Sequence, residues 1–246
     1  MRRSGQEIDK MRKAGRVVAE MHARIRDAIR PGTTTATLDR IGREVIHRRR
    51  ARSNFLNYHG FPAVICASPN HVIVHGIPDD RPLEEGDVIS IDCGAIVQGY
   101  HGDAAFTWPV GAVSPEVEKL LQVTEESLWV GISQMRDGNR LSDIGHAVQT
   151  VAEGAGFSVV REYAGHAIGT AMHEKPAVAN HGPPGRGPRL RVGNVFAVEP
   201  MVNLGRPETR TLADGWSVVT VDGSVSAHFE HTIAITEDGP QVLTLP

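Results

Sequence analysis

Phe, Tyr and Trp together make up only 5% of the 246 residues, so any place where aromatics gather is informative. Cysteine is scarcer still, with Cys66 and Cys93 alone. Two thiols cannot build a disulfide scaffold, and a reducing, cytoplasmic setting is expected. No apolar run approaches the ~18 residues of a membrane span, and the opening MRRSGQEIDK lacks the apolar core of a signal peptide. A membrane protein is therefore not expected. No low-complexity stretch or interdomain linker interrupts the chain. What is present, 40% hydrophobic and 22% charged residues, is the balance of a globular protein long enough to bury a sizeable core.

The net charge of −3 hides an asymmetry. Residues 1–52 hold 15 Lys and Arg against 6 Asp and Glu, whereas the remainder holds 11 against 23. A basic segment of this kind can face a polyanion, and an acidic body can hold cations.

One stretch is written twice. Leu83–Asp92, LEEGDVISID, returns as Leu190–Glu199, LRVGNVFAVE, with Leu83/Leu190, Gly86/Gly193 and Val88/Val195 identical. Each copy reads as a Gly-Asp or Gly-Asn turn feeding a short β-branched strand that ends on a carboxylate. A carboxylate closing a buried strand is costly without a cation to receive it. The surroundings repeat too. Helices are expected over 6–30, stopped by Pro31-Gly32, and around Leu38–Ile46; their counterparts are Pro115–Met135, capped by Ser114, and Ser142–Glu153. LDRIG at Leu38 is echoed by LSDIG at Leu141, HGIP at His75 by HEKP at His173, and His101-Gly102-Asp103 by His228-Phe229-Glu230. Strands are expected over Ala63–Ala67, Val72–His75 and, as a hairpin carrying Asp103, from Cys93 to Trp108. Two more, Trp216–Val221 and Ser226–Thr236, read as a hairpin about Asp222-Gly223. The pattern implies an α+β fold of residues 1–246 as one domain, with similar halves of approximately 1–112 and 113–246.

Each half thus offers one His, a strand-end carboxylate and a second carboxylate: Asp92 with Asp103, and Glu199 with Glu230. His166, in GHAIG, is an unpaired extra. Four desolvated carboxylates on central strands would repel one another, and divalent ions would remove that repulsion. Oxygen-rich ligation with one imidazole suits Mn(II), Fe(II) or Co(II), with Zn(II) also able to bind. A pair of such ions activates water for hydrolysis.

These residues carry a resemblance. VIVHGIP from Val72, SIDCGA from Ser90, GYHGDAAFT from Gly99, GHAIG from Gly165, FAVEPM from Phe196, DGWSVVT from Asp214 and AHFEHT from Ala227 resemble the type I methionine aminopeptidases over nearly the whole chain. The resemblance implies the pita-bread fold, two α/β halves around a central antiparallel sheet, and two divalent ions held by Asp92, Asp103, His166, Glu199 and Glu230. It implies that His173 polarises the scissile carbonyl, that Glu199 moves the proton, and that His75 contacts the substrate. Tyr58, Phe61, Cys66, Met172, Trp216 and, more loosely, Phe55 would form the thioether slot. Asn70, Val72 and Ser226 match positions of a structural monovalent cation. The implied partners are nascent polypeptide N-termini, with ribosome docking through the basic segment and a monomeric state. Phe55, Ala167, Thr170 and Met172 depart from the usual pattern and bear on pocket shape. Two alternatives are a pita-bread peptidase of proline bonds, whose extra N-terminal domain this chain has no room for, and a ligand-depleted RNA-binding relative, which the complete ligand set disfavours.

Overall fold

In the computed structural model, which describes residues 2–246, the chain is an α+β arrangement of two halves, each of which opens with two helices and continues in strands. The first half holds α1 (Gly5–Arg26), α2 (Thr35–Arg48), β1 (Arg52–Ser53), a 3-10 turn at Tyr58–Gly60, β2 (Ile65–Pro69), β3 (Val72–Val74), β4 (Val88–Val97) and β5 (Tyr100–Pro109). The second opens with α3 (Pro115–Ser133) and α4 (Leu141–Gly154), followed by β6 (Ser158–Val159), β7 (Gly165–Ala167), β8 (Glu174–Val178), β9 (Val195–Val198) and β10 (Met201–Asn203). It closes with β11 (Thr209–Thr211), β12 (Val218–Thr220), β13 (Ser226–His228), β14 (His231–Thr236) and β15 (Gly239–Val242).

The helices form where the apolar period is helical and the ends are capped. Ile8, Met11, Val18, Met21 and Ile25 line the buried face of α1. Its start is a capping box, in which Ser4 Oγ accepts from Glu7 N and Glu7 Oε2 accepts from Ser4 N. Ser114 caps α3 from in front of Pro115, as expected. Each helix pair covers one core. Val18, Met21, Ile25 and Leu38 pack on Ile65, Ile89 and Ile91, whereas Leu120, Leu128 and Ile144 pack on Phe196, Val198 and Ile233.

β4 lies between β2 and β5 with β1 further along its edge, and the order β15-β14-β9-β7-β8 forms the larger sheet of the second half. The two sheets join where Glu230 N donates to Ala105 O at 2.8 Å and Ala105 N donates to Glu230 O at 3.3 Å. Every strand pairing among the described residues is antiparallel.

The repeat folds as a repeat, with one correction. Asp87 Oδ2 accepts from Glu84 N at 2.8 Å and Asn194 Oδ1 accepts from Arg191 N at 2.9 Å, so the aligned side chains close the same turn. Gly86 (φ 91°) and Gly193 (φ 90°) take the left-handed step that each turn requires. Glu199 then follows directly after β9. Asp92 does not end its strand, because β4 continues to Val97 and turns through Gln98-Gly99 into β5.

Other boundaries moved as well. α1 stops at Arg26 rather than Arg30. The expected hairpin about Asp222-Gly223 is not formed: β12 pairs with β11 and β3, and β13 pairs with β10. The Asp222 side chain instead accepts from Arg206 N and Ser224 N, which makes this segment a crossing loop. The run from Ser226 to Thr236 breaks at Phe229-Glu230, where Glu230 turns its backbone to β5.

Candidate metal centre

The strand register sets the carboxylates. Asp92 lies opposite Ala105 and Asp103 opposite Gly94 on the β4–β5 hairpin, so the two acids are diagonal neighbours on one face. The second sheet repeats the device: His166 lies opposite Ala197, and Glu199 is two residues beyond Ala197 on the same face. Glu230 enters at the seam beside Ala105. Thr232 fixes the backbone of Asp103, accepting from its N–H at 3.0 Å and donating to its carbonyl at 2.8 Å.

Side-chain atoms of Asp103, His166 and Glu230 converge to within 4.8 Å of one another. Glu199 joins them through Oε1, 3.5 Å from His166 Nε2. Asp92 Oδ1, Asp103 Oδ1 and Glu230 Oε1 are buried without a hydrogen-bond partner. Burial raises all four carboxyls, Asp92 to about 7 and Asp103, Glu199 and Glu230 well above their usual range, with their mutual charges adding to the rise in the last three. His166 Nδ1 faces the Ala167 carbonyl at 3.1 Å, which makes it the donor and leaves Nε2 a bare lone pair toward the carboxylates. Burial holds this imidazole down to about 4, in its neutral form. Orphaned oxygens with one neutral nitrogen fit divalent cations, which satisfy the oxygens and cancel the repulsion.

A cavity of about 190 Å³ adjoins these residues. On one side Phe55, Phe61, Cys66 and Met172 are buried together against Tyr58 and Trp216, so five expected slot residues and the looser Phe55 are gathered in one wall. Phe61 meets Trp216 edge to face at 5.1 Å between ring centres. Asp214 shapes the loop that presents Trp216, accepting from the amides of Trp216 and Ser217. His173 reaches the cavity with its ring 4.3 Å from that of His166, and its Nδ1 lies 2.8 Å from the Tyr58 hydroxyl. Burial lowers both His173 and His75, the latter to about 4. His75 is held at φ 61°, and the following Gly76 is clamped by Ser68 Oγ and the Ala67 amide.

The opposite wall was missed in the sequence: Val74, Tyr163, Ala164, Met201 and His228 also line the cavity. The signal was there in the period of two. Ala164, Met201 and His228 each stand two positions from a ligand candidate, on the same side of extended chain. His228 is buried, with Nε2 3.8 Å from Glu199 Oε2. Asn70 and Ser226 do meet, Ser226 N donating to Asn70 O at 2.9 Å, and Val72 lies nearby in β3. The Asn70 side chain is engaged by Asp87 and by the Val88 amide, so here it splices a turn to β4.

Comparison with known proteins finds relatives over nearly the whole chain. The sequence model of metallopeptidase family M24 matches residues 9–237. Methionine aminopeptidase 1 of Bacillus subtilis is 53% identical over 238 residues, covering 97% of this chain and 96% of its own. The crystal structure of methionine aminopeptidase from Rickettsia prowazekii superposes with a TM-score of 0.98 at 43% identity, covering 100% of this chain and 99% of that one. Prolidase from Pyrococcus furiosus shares the fold at a TM-score of 0.80, with 19% identity and 65% of its length covered.

Proposed function

The chain belongs to metallopeptidase family M24, among the type I methionine aminopeptidases, and on that premise we propose that Asp92, Asp103, His166, Glu199 and Glu230 hold two divalent ions with which it removes the N-terminal methionine of nascent chains whose second residue is small. The observation that carries this reading is the set of partnerless carboxylate oxygens converging with His166 beside a slot of aromatics, thiol and thioether. Divalent ions held there supply an acidified water as nucleophile and a Lewis acid for the scissile carbonyl.

The chain's own groups do the rest. Tyr58, Phe61, Cys66, Met172 and Trp216 take the methionine side chain, a soft apolar group that suits polarisable surroundings. With the Tyr58 hydroxyl donating to Nδ1, His173 keeps its proton on Nε2 and offers it to the carbonyl oxygen as charge develops there. His75, across the cavity, contacts the substrate near the scissile bond. Glu199 carries the proton from the attacking water to the leaving amine. All these groups come from one copy of the chain, so the site needs no residue from a second copy.

The substrate places the work in the cytoplasm, and no described helix is long and apolar enough to cross a membrane. The basic segment supports ribosome docking less strongly than its composition suggested. Arg48 and Arg49 both pair with Glu20, and Arg43 pairs with Asp39, so part of that charge is neutralised locally. Reversing Arg48, Arg49 and Arg50 is expected to reduce co-sedimentation with ribosomes, and unchanged co-sedimentation would discard docking.

The deciding assay is methionine release from Met-Ala-Ser against Met-Lys-Ser with Mn, Fe(II), Co or Zn and a chelator control. Release from the first peptide only, abolished by chelation, is expected. Equal cleavage of both, or cleavage that ignores the chelator, would refute the reading.

A further inference from the structure

Arg3 stands directly before the N-cap of α1, and its side chain is 4% exposed. A guanidinium is almost never fully buried unless it is paired, and this one has a specific seat. Its Nη2 donates to both carboxylate oxygens of Glu174 at 2.5 Å. Glu174 Oε1 also accepts from the amides of Thr170 at 3.0 Å and Ala171 at 3.3 Å, so Arg3 holds the carboxylate that ties down the turn before β8. That turn carries Met172 and His173.

The seat is cut to fit. A Cβ on Gly169 would lie 2.0 Å from Arg3 Nη2, and one on Gly193 would lie 2.7 Å from Arg3 O. Arg3 N donates to Gly193 O at 2.6 Å, and Arg2 Nε to Val192 O at 2.7 Å. The segment is fixed from its other side by the Ser4–Glu7 capping box, while Glu7 accepts from the Tyr100 hydroxyl at 2.9 Å. Arg3 thus links three things that are remote in sequence: the start of α1, the turn of the repeated stretch at Gly193, and the loop bearing His173.

We propose that Arg3 is a positioning residue for the active site: through Glu174 its buried guanidinium holds the Thr170–His173 turn, so that His173 stays against His166 and Met172 stays in the slot wall. This rests on the role assigned to His173 above. Arg3 is the buried partner and Glu174 the half-buried one, so loss of Glu174 leaves a buried guanidinium uncompensated and loss of Arg3 frees the carboxylate that holds the turn. Small displacements of a group acting on the reacting carbonyl fall mainly on turnover rather than on binding.

The test uses the full-length, metal-loaded protein with Arg3→Ala, Arg3→Lys, Glu174→Gln and His173→Ala. For Arg3→Ala, kcat on Met-Ala-Ser is expected to fall about tenfold or more, with KM within about threefold of the parent. The Thr170 and Ala171 amides are expected to exchange with deuterium at least about tenfold faster, while those of β9 and β14 keep their protection. Guanidinium ion at low millimolar concentration is expected to restore turnover in Arg3→Ala but not in Glu174→Gln, which lacks the anion that seats it. Turnover and loop exchange both within about twofold of the parent in Arg3→Ala would overturn the proposal. Should Arg3→Ala not fold, Glu174→Gln and Arg3→Lys carry the same expectation and the same refutation. Full activity in His173→Ala would remove the role of His173 instead, while the exchange data report separately on whether Arg3 holds the loop.

Discussion

Asp103 is fixed by its backbone and left open at its carboxylate. Thr232 holds both of its main-chain polar groups, and one carboxylate oxygen is buried with no protein partner. Asp103→Ala should therefore fold yet lose both metal content and activity, since the site loses a converging oxygen rather than a packing group. Metal analysis beside turnover checks this, and near-normal values of both would show that Asp103 is not a ligand. His22 is a different kind of buried group. Burial holds its imidazole down to about 3, with Nε2 donating to Ala104 O at 2.7 Å. Because an unfolded chain titrates its histidines near about 6.5, only the unfolded state takes up this proton between those values. The stability His22 contributes is thus complete above about pH 6.5 and is lost as the pH falls toward 3. His22→Asn keeps a donor for Ala104 and should flatten the acid limb of unfolding stability by up to about 1.4 kcal/mol per pH unit. Denaturant titrations from pH 4 to 7 measure it, and an unchanged slope would place the proton uptake elsewhere. At this scale the sequence was most readable where chemistry forces a choice. Four acids in a repeated context and one unpaired histidine mark themselves as candidates, whereas Val74, Tyr163, Ala164 and Met201 are ordinary residues whose role depends on the cavity they share with them.

Among the elements, the helices and the β4–β5 hairpin were legible because their signals are local: an apolar period, a cap, a strand run about a glycine turn. The short strands were not. β10 and β13 have three residues each, and they pair with each other across the whole of β11 and β12. Asp222-Gly223 looks like a hairpin turn by composition, yet its flanking strands pair elsewhere because the Asp222 side chain is engaged by Arg206 N. Close approach between elements is equally invisible in sequence. A Cβ on Gly102 would lie 2.8 Å from the backbone N of Gly15 in α1, a contact that neither backbone can yield without moving. Gly102→Ala should push α1 from β5 at a cost of about 1–3 kcal/mol. Since Asp103 is the next residue, metal affinity should weaken with it. Thermal melting and metal titration of this variant test the pairing of effects. An unchanged Tm would mean that α1 has room to move, and normal affinity despite a lower Tm would mean that Asp103 is insulated from the helix.

For the whole molecule, the two halves share few places as costly as the seam where Glu230 meets β5. Asp92 and Asp103 come from one sheet, His166 and Glu199 from the other, and burial drives each carboxyl toward its neutral form. Without cations the interface between the halves therefore carries a desolvated, partnerless polar cluster, and bound cations would make the same groups its cross-link. Ligand binding to the folded state alone stabilises it by about 2.7 kcal/mol at a hundredfold excess over Kd. For a chain of this length that corresponds to a rise in Tm of about 5–10 °C. Calorimetry with Mn(II) or Co(II) and then with chelator should show one transition moving up and back by that order, because the cluster belongs to neither half alone. Two separate transitions, with only one responding to metal, would mean that the halves unfold independently and that the ions are held within a single sheet. A single transition that ignores both metal and chelator would mean that these carboxylates do not bind the cations their burial calls for.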